Sequence, residues 1–150
     1  MMKIYLFITG KTIDNGIETN DQLKTRLFCM DKKKCILICD DDADILNLFK
    51  YILEPKGFEV IGYERTEKIF SNLSVIEPDI IFIDLNMAGF GGENAVMLLN
   101  ENNKFSAIPK ILFSGNEEIE EISKKINATG FLKKPFDFKK FDTILQLYLN

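Results

Sequence analysis

From Lys34 onward the chain alternates short, unbroken apolar runs with longer amphipathic stretches, and nothing else in the sequence limits its fold as strongly. The runs cover residues 35–39, 58–61, 80–85, 111–113 and 130–132. A strand with one wet face alternates apolar and polar residues. Continuous runs of β-branched and aromatic residues suit strands covered on both faces, as in a parallel sheet between helices. The stretches between the runs repeat apolar residues at helical spacing. Ile45, Leu46, Phe49, Ile52 and Leu53 form a stripe closed by Pro55 and Gly57, and Ile69, Leu73 and Ile76 form a second before Pro78. Ala95, Val96, Leu98 and Leu99 form a third, Ile119, Ile122 and Ile126 a fourth, and Phe138, Phe141, Leu145 and Tyr148 a fifth. Five βα units in this order predict one doubly wound α/β domain over residues 30–150, with right-handed crossovers.

Residues 1–29 stand outside that scheme. Residues 3–8 have the composition of a strand, but 9–21 are polar and turn-rich without a period. Ile8-Thr9-Gly10-Lys11-Thr12 ends like a phosphate-binding loop, yet the first glycine of such a loop would fall at Tyr5, so the motif fails. Met30, followed by Asp31 and three lysines, is a natural opening for the domain. Residues 1–29 are therefore expected to be an accessory extension or an over-called start. Their apolar segment is shorter than the ~7–15 residues of a signal-peptide core, and no run reaches the ~18–20 of a membrane span. A cytoplasmic protein without a membrane partner is expected.

The absence of histidine excludes a Ser-His-Asp triad, a Cys-His pair, a His-ligated zinc site and a phosphohistidine carrier. A formal charge of −4 argues against a dedicated nucleic-acid binder, which would show a basic face. Cys29, Cys35 and Cys39 are odd in number, and the last two lie about 13 Å apart at strand rise, too far to bridge. Reduced, buried thiols are expected.

Acidic residues cluster at strand ends. Asp40, Asp41 and Asp42 follow the first run, with Asp44 two residues on. For Asp42 and Asp44 the plain reading is a helix start, where carboxylates cap free N–H groups and favour the macrodipole. Asp40 and Asp41 sit at the carboxyl end of a buried strand, the edge where open α/β sheets bind ligands. Asp84 closes the third run in the same way. If strands one and three are neighbours, Asp40, Asp41 and Asp84 converge. At ~4 Å and an effective dielectric of ~20, each close pair costs about 4 kcal/mol before relaxation. Either a pKa rises or a hard divalent cation, Mg2+ or Mn2+, binds the oxygen-only site and prepares it for a phosphoryl group. Ser114 and Lys134 end the fourth and fifth runs. Alone they would be a cap and a solvated charge; together at this edge they offer a hydroxyl donor and a positive charge to phosphoryl oxygens. Pro135 restricts the lysine's backbone and favours an extended loop.

Four blocks in order and at the right spacing give these residues a familiar look. They are Ile36-Leu37-Ile38-Cys39-Asp40-Asp41-Asp42; residues 78–89, with Ile83-Asp84-Leu85-Asn86 at their centre; Pro109-Lys110-Ile111-Leu112-Phe113-Ser114-Gly115; and Gly130-Phe131-Leu132-Lys133-Lys134-Pro135-Phe136. Across residues 33–150 the chain resembles the receiver domain of two-component response regulators, of the stand-alone type without an output module. The resemblance implies a flavodoxin-like sheet in strand order 2-1-3-4-5. It implies that Asp84 is the phosphoacceptor, that Asp41 and Asp84 bind Mg2+ directly with the Asn86 backbone carbonyl, and that Asp40 acts through water. Lys134 would pair with Asp84 at rest and with the phosphoryl group afterwards. Ser114 would turn inward to that group, Phe131 would follow as the aromatic switch, and Asn86 and Asn116 would tune phosphoryl lifetime. A sensor histidine kinase or histidine phosphotransfer protein is the implied donor, the implied output is a changed surface around the last helices, and steady enzymatic turnover is not expected.

Ala88, Gly91 and Gly115 depart from the family pattern, and the glycines at 89, 91 and 92 predict a looser loop after the acceptor. Two other classes are weighed against the switch. A degenerate receiver acting as a constitutive binding module would have no use for repelling carboxylates. A small Mg2+-dependent phosphohydrolase would need a second acid/base carboxylate where Asn86 stands, and a cap over its substrate.

Overall fold

The computed structural model describes residues 33–72, 75–136 and 138–149. The expected extension 1–29, with Cys29 and the Gly10-Lys11-Thr12 segment, lies outside the described residues, as does Leu73. Strands β1 (Cys35–Cys39), β2 (Glu59–Tyr63), β3 (Ile80–Asp84), β4 (Lys110–Ser114) and β5 (Gly130–Lys133) form one parallel sheet in the order β2-β1-β3-β4-β5. They alternate with helices α1 (Ala43–Leu53), α2 (Glu67–Asn72), α3 (Gly92–Glu101), α4 (Ile119–Lys125) and α5 (Phe138–Leu149). This is the layered α/β fold that the apolar periodicity predicts and the strand order that the resemblance implies.

The unbroken apolar runs are explained by two cores. Ile36, Ile38, Ile80, Phe82, Ile111 and Phe113 point to one face and pack with Leu46, Phe49 and Leu53 of α1 and Phe141 and Leu145 of α5. Their neighbours Leu37, Cys39, Ile81, Ile83 and Leu112 point to the other and pack with Ile69 of α2, Ala95, Val96 and Leu99 of α3, and Ile119 of α4. Each such side chain contributes roughly 1.5–3 kcal/mol relative to exposure, so a polar residue on either face of β1 or β3 would be costly. Cys35 and Cys39 are buried, as expected. Asp42 caps α1 by accepting from the Asp44 amide at 2.9 Å, and a 3-10 turn through Pro55 followed by left-handed Gly57 (φ 92°) ends it.

Several expectations are corrected. β2 begins at Glu59, not Phe58, and runs on through Gly62 to Tyr63, because its ladder to β1 continues from Cys35–Glu59 to Cys39–Tyr63. β4 takes in Lys110, which is buried: its ammonium donates to the carbonyls of Phe105 (2.7 Å), Ile108 (2.8 Å) and Ser106 (3.1 Å). Burial pushes that ammonium's pKa down, and the carbonyls do for it what water would. α2 is described over Glu67–Asn72, the Asn72 carbonyl accepts from the Val75 and Ile76 amides, and Ile76 is buried outside any helix. Leu98 and Phe138, counted in apolar stripes, face outward. Leu85 is buried just beyond the end of β3.

Registers carry the strand ends to one edge. Cys39 pairs with Ile83, so Asp40 and Asp84 come next on adjacent strands; Ser114 pairs with Lys133, so Lys134 follows beside it. The chain leaves β1 for β2 on one side and reaches β3 on the other, which opens a crevice at this carboxyl edge.

Candidate functional site

Asp40, Asp41 and Asp84 offer carboxylate oxygens that all lie within 4.8 Å of one another. Asp40 and Asp84 are buried while Asp41 is exposed, so the cluster has a floor and an open side. The convergence expected from the strand order is therefore observed. Asp40 is fixed from two directions: one oxygen accepts from the Asp42 amide at 2.9 Å and the other from Lys134 Nζ at 2.8 Å. Lys134 reaches inward over the Phe113 ring, its Nζ 4.5 Å from the centroid, and its backbone amide donates to the Ser114 carbonyl at 2.7 Å. The Lys134–Pro135 peptide is cis.

Asp84 is the poorly compensated member. Its Oδ1 is buried without a hydrogen-bond partner and stands 3.5 Å from Lys134 Nζ. Burial raises its pKa above the usual carboxylate range; Lys134 opposes that shift and Asp40 adds to it. The lysine expected to pair with Asp84 thus leans towards Asp40, because Asp40 presents a fully buried oxygen to it at shorter range. An all-oxygen donor set with an orphaned buried carboxylate oxygen and an open side fits a hard divalent cation such as Mg2+. The Asn86 carbonyl, two residues beyond Asp84, belongs to the loop that leaves this edge.

Ser114 is fully buried. Its hydroxyl oxygen accepts from Asn86 Nδ2 at 2.9 Å and from the Asn116 amide at 3.2 Å. The two asparagines singled out in the sequence therefore meet on the one serine. That contact is not legible from spacing, since 28 residues separate Asn86 from Ser114. Phe131 is partly buried on the side of the sheet that carries α2, α3 and α4.

The loop after Asp84 meets α3 through a close backbone approach at Gly92. A Cβ on Gly92 would stand 2.3 Å from the Asp84 carbonyl oxygen and 2.9 Å from Leu85 Cα. Gly92 is buried in close backbone contact, so here the glycine lets α3 abut the end of β3 at Asp84. Gly89 and Gly91 take φ values of +85° and +78°, which other residues adopt only with strain. Cys39, next to Asp40, is no second nucleophile: burial, with Asp40 and Glu67 adding, pushes its thiol up to about 12.

The family model for the response regulator receiver domain matches residues 36–146. Among curated relatives, the sensory transduction protein BceR of Halalkalibacterium halodurans is 25% identical over 117 residues, covering 77% of this chain and 49% of its own length. The chain spans about half, or less, of the length of the curated relatives it matches. Among solved structures, the Vibrio cholerae chemotaxis protein CheY4 superposes with a TM-score of 0.71 at 23% identity, over 78% of this chain and 99% of that one. The receiver domain of a sensor histidine kinase from Pseudomonas aeruginosa, described with a magnesium ion coordinated in its active site cleft, gives 0.71 at 18% identity, over 79% and 98%. At such identities the structural likeness carries the fold.

Proposed function

The chain belongs to the response regulator receiver domain family, and from that premise we propose that it is a cytoplasmic phosphoacceptor switch, taking a phosphoryl group onto Asp84 from a histidine-phosphorylated kinase or phosphotransfer protein. The observation that carries this reading is the buried Asp84 oxygen that no donor hydrogen-bonds and that only the shared Lys134 ammonium, at 3.5 Å, compensates, beside Asp40 and Asp41. Asp41, Asp84 and the Asn86 carbonyl would hold Mg2+, with Asp40 acting through water. The ion would neutralise phosphoryl oxygens and relieve the repulsion among the carboxylates.

In the transfer, an Asp84 carboxylate oxygen forms the new bond to phosphorus as the phosphorus–nitrogen bond of the donor phosphohistidine breaks. The electron pair of that bond leaves with the imidazole nitrogen, which the donor's own surroundings protonate. Lys134 supplies a positive charge for the added phosphoryl oxygens, and the buried Ser114 hydroxyl supplies a donor. For Ser114 to do so it must exchange its present partners, Asn86 Nδ2 and the Asn116 amide, for a phosphoryl oxygen. That exchange is a local charge event able to bias a two-state surface through Phe131 and the elements beside it.

Intact mass spectrometry after incubation with Mg2+ and a small-molecule phosphodonor tests the reading. One phosphoryl adduct on the wild type and none on Asp84→Ala is the expected result. No adduct and no Mg2+ binding would instead make the domain a phosphorylation-independent binding module.

A further inference from the structure

We propose that Glu67, the first residue of α2, is a positioning residue that clamps the loop after Asp84 and so helps to shape the cation site. The proposal rests on the receiver reading and deepens it, because nothing in the sequence blocks includes Glu67. Its Oε1 accepts from Arg65 Nη2 at 3.2 Å and lies 3.0 Å from where a Cβ on Gly89 would stand, with the Arg65 Nη2 atom 3.5 Å from the same point. Glycine at 89, at φ +85°, is what lets this carboxylate come so close to the loop backbone. The next residue is held as well: Phe90 meets Phe70 of α2 edge-on at 5.9 Å, and its carbonyl accepts from Asn94 Nδ2 at 2.8 Å. Arg65 foremost, then the amides of Glu67 itself and of Phe90, hold the Glu67 carboxyl below its ordinary range.

Thr66 at the start of this segment is fully buried, and Glu67 Oε2 is a buried oxygen without a hydrogen-bond partner, so it is Oε1 that engages Arg65 and the loop. The same connection touches the other arm of the site, since the Tyr63 carbonyl at the end of β2 accepts from the Asp40 amide at 3.1 Å. The β2–α2 segment therefore holds Asp40 on one side and the loop bearing Asn86 on the other. An exposed Arg–Glu pair by itself adds little to stability. Its use here lies in where the carboxylate rests, which fixes the loop that carries a proposed cation ligand.

Calorimetric titration of the full chain with Mg2+ tests this on wild type, Glu67→Ala, Glu67→Gln and Arg65→Met, with Glu120→Ala as a charge control in a distant ion pair. Thermal midpoints and amide exchange at residues 88–90 are measured alongside. Glu67→Ala is expected to weaken Mg2+ binding ~10-fold, in the range seen when outer-sphere partners of ligands are removed. Its midpoint should stay near that of the wild type while amides 88–90 exchange faster. Glu67→Gln, which still accepts from Arg65, should keep most of the affinity, and Arg65→Met should fall between. Should Glu67→Ala fail to fold, the loss in Arg65→Met decides. Equal affinity in Glu67→Ala and wild type overturns the clamp and leaves the receiver reading intact. An equal loss in Glu120→Ala also overturns it, since net charge then explains the effect. A wild type that binds no Mg2+ overturns both.

Discussion

Lys134 donates to Asp40, 94 residues away in the chain, at 2.8 Å, and stands 3.5 Å from Asp84. One ammonium thus compensates two buried carboxylates, tightly for the first and loosely for the second. That unequal sharing leaves Asp84 the less compensated of the two carboxylates and Asp40 with its geometry fixed.

Lys134→Met removes the positive charge between two buried carboxylates. Breaking such a pair from one side leaves uncompensated charge, and the variant should lose roughly 3 kcal/mol of stability at neutral pH. Urea unfolding in the presence of a chelator measures it. Excess Mg2+ should return part of the loss, because the cation supplies charge at the same place. An unchanged unfolding midpoint would mean that Lys134 contributes nothing to the resting state.

The raised pKa of Asp84 sets a pH dependence whose sign is fixed. A carboxyl that holds its proton more tightly when folded favours the folded state below its unfolded pKa, and that contribution fades as pH rises through the folded value. At neutral pH the ionised group therefore costs stability. Asp84→Asn should melt higher than wild type at neutral pH without divalent cations, by roughly 2–5 °C, about what 1 kcal/mol gives a domain of this size. The gap should close below the ordinary carboxylate range. A gap that persists there would refer the effect to packing instead.

Asn86 and Ser114 are joined by a half-buried hydrogen bond at 2.9 Å. A double-mutant cycle with Asn86→Ala and Ser114→Ala should show a coupling of about 1 kcal/mol in urea unfolding. In the phosphorylated state that coupling should fall, since Ser114 then serves the phosphoryl group. Equal coupling in both states would count against a moving serine.

Gly92→Ala places a methyl group where the Asp84 carbonyl oxygen would be only 2.3 Å away. Both contacts are backbone, which does not yield like a flexible side chain, so the variant should lose roughly 1–3 kcal/mol. Mg2+ affinity should fall with it, because the acceptor's own peptide must shift. A variant as stable as wild type would show that α3 can move away from the acceptor.

Lys110→Met withdraws the ammonium that holds the carbonyls of Phe105, Ser106 and Ile108. A carbonyl left buried without a donor costs roughly 1–3 kcal/mol, and thermal unfolding measures the loss. Phosphoryl transfer should be unaffected, since this lysine opens β4 at the edge opposite Asp84.

The sequence by itself determined the layers, the strand count and the identity of the acidic cluster. Those features depend on local pattern: runs such as Ile80 to Ile83 can be covered only on both faces, and a carboxylate closing each run must lie at its carboxyl edge. The tertiary structure alone decided which partner each charged or polar side chain takes. Lys134 is shared between Asp40, which it hydrogen-bonds, and Asp84 at longer range, Asn86 reaches Ser114, Glu67 rests against Gly89, and Lys110 is buried because a loop folds its carbonyls around it. Gly92 likewise reads as flexibility in the chain and becomes close contact only when α3 meets the end of β3. The physical reason is range. Hydrophobic periodicity is written into neighbouring residues, whereas a hydrogen bond or an ångström-scale close approach depends on the register of strands far apart in the chain.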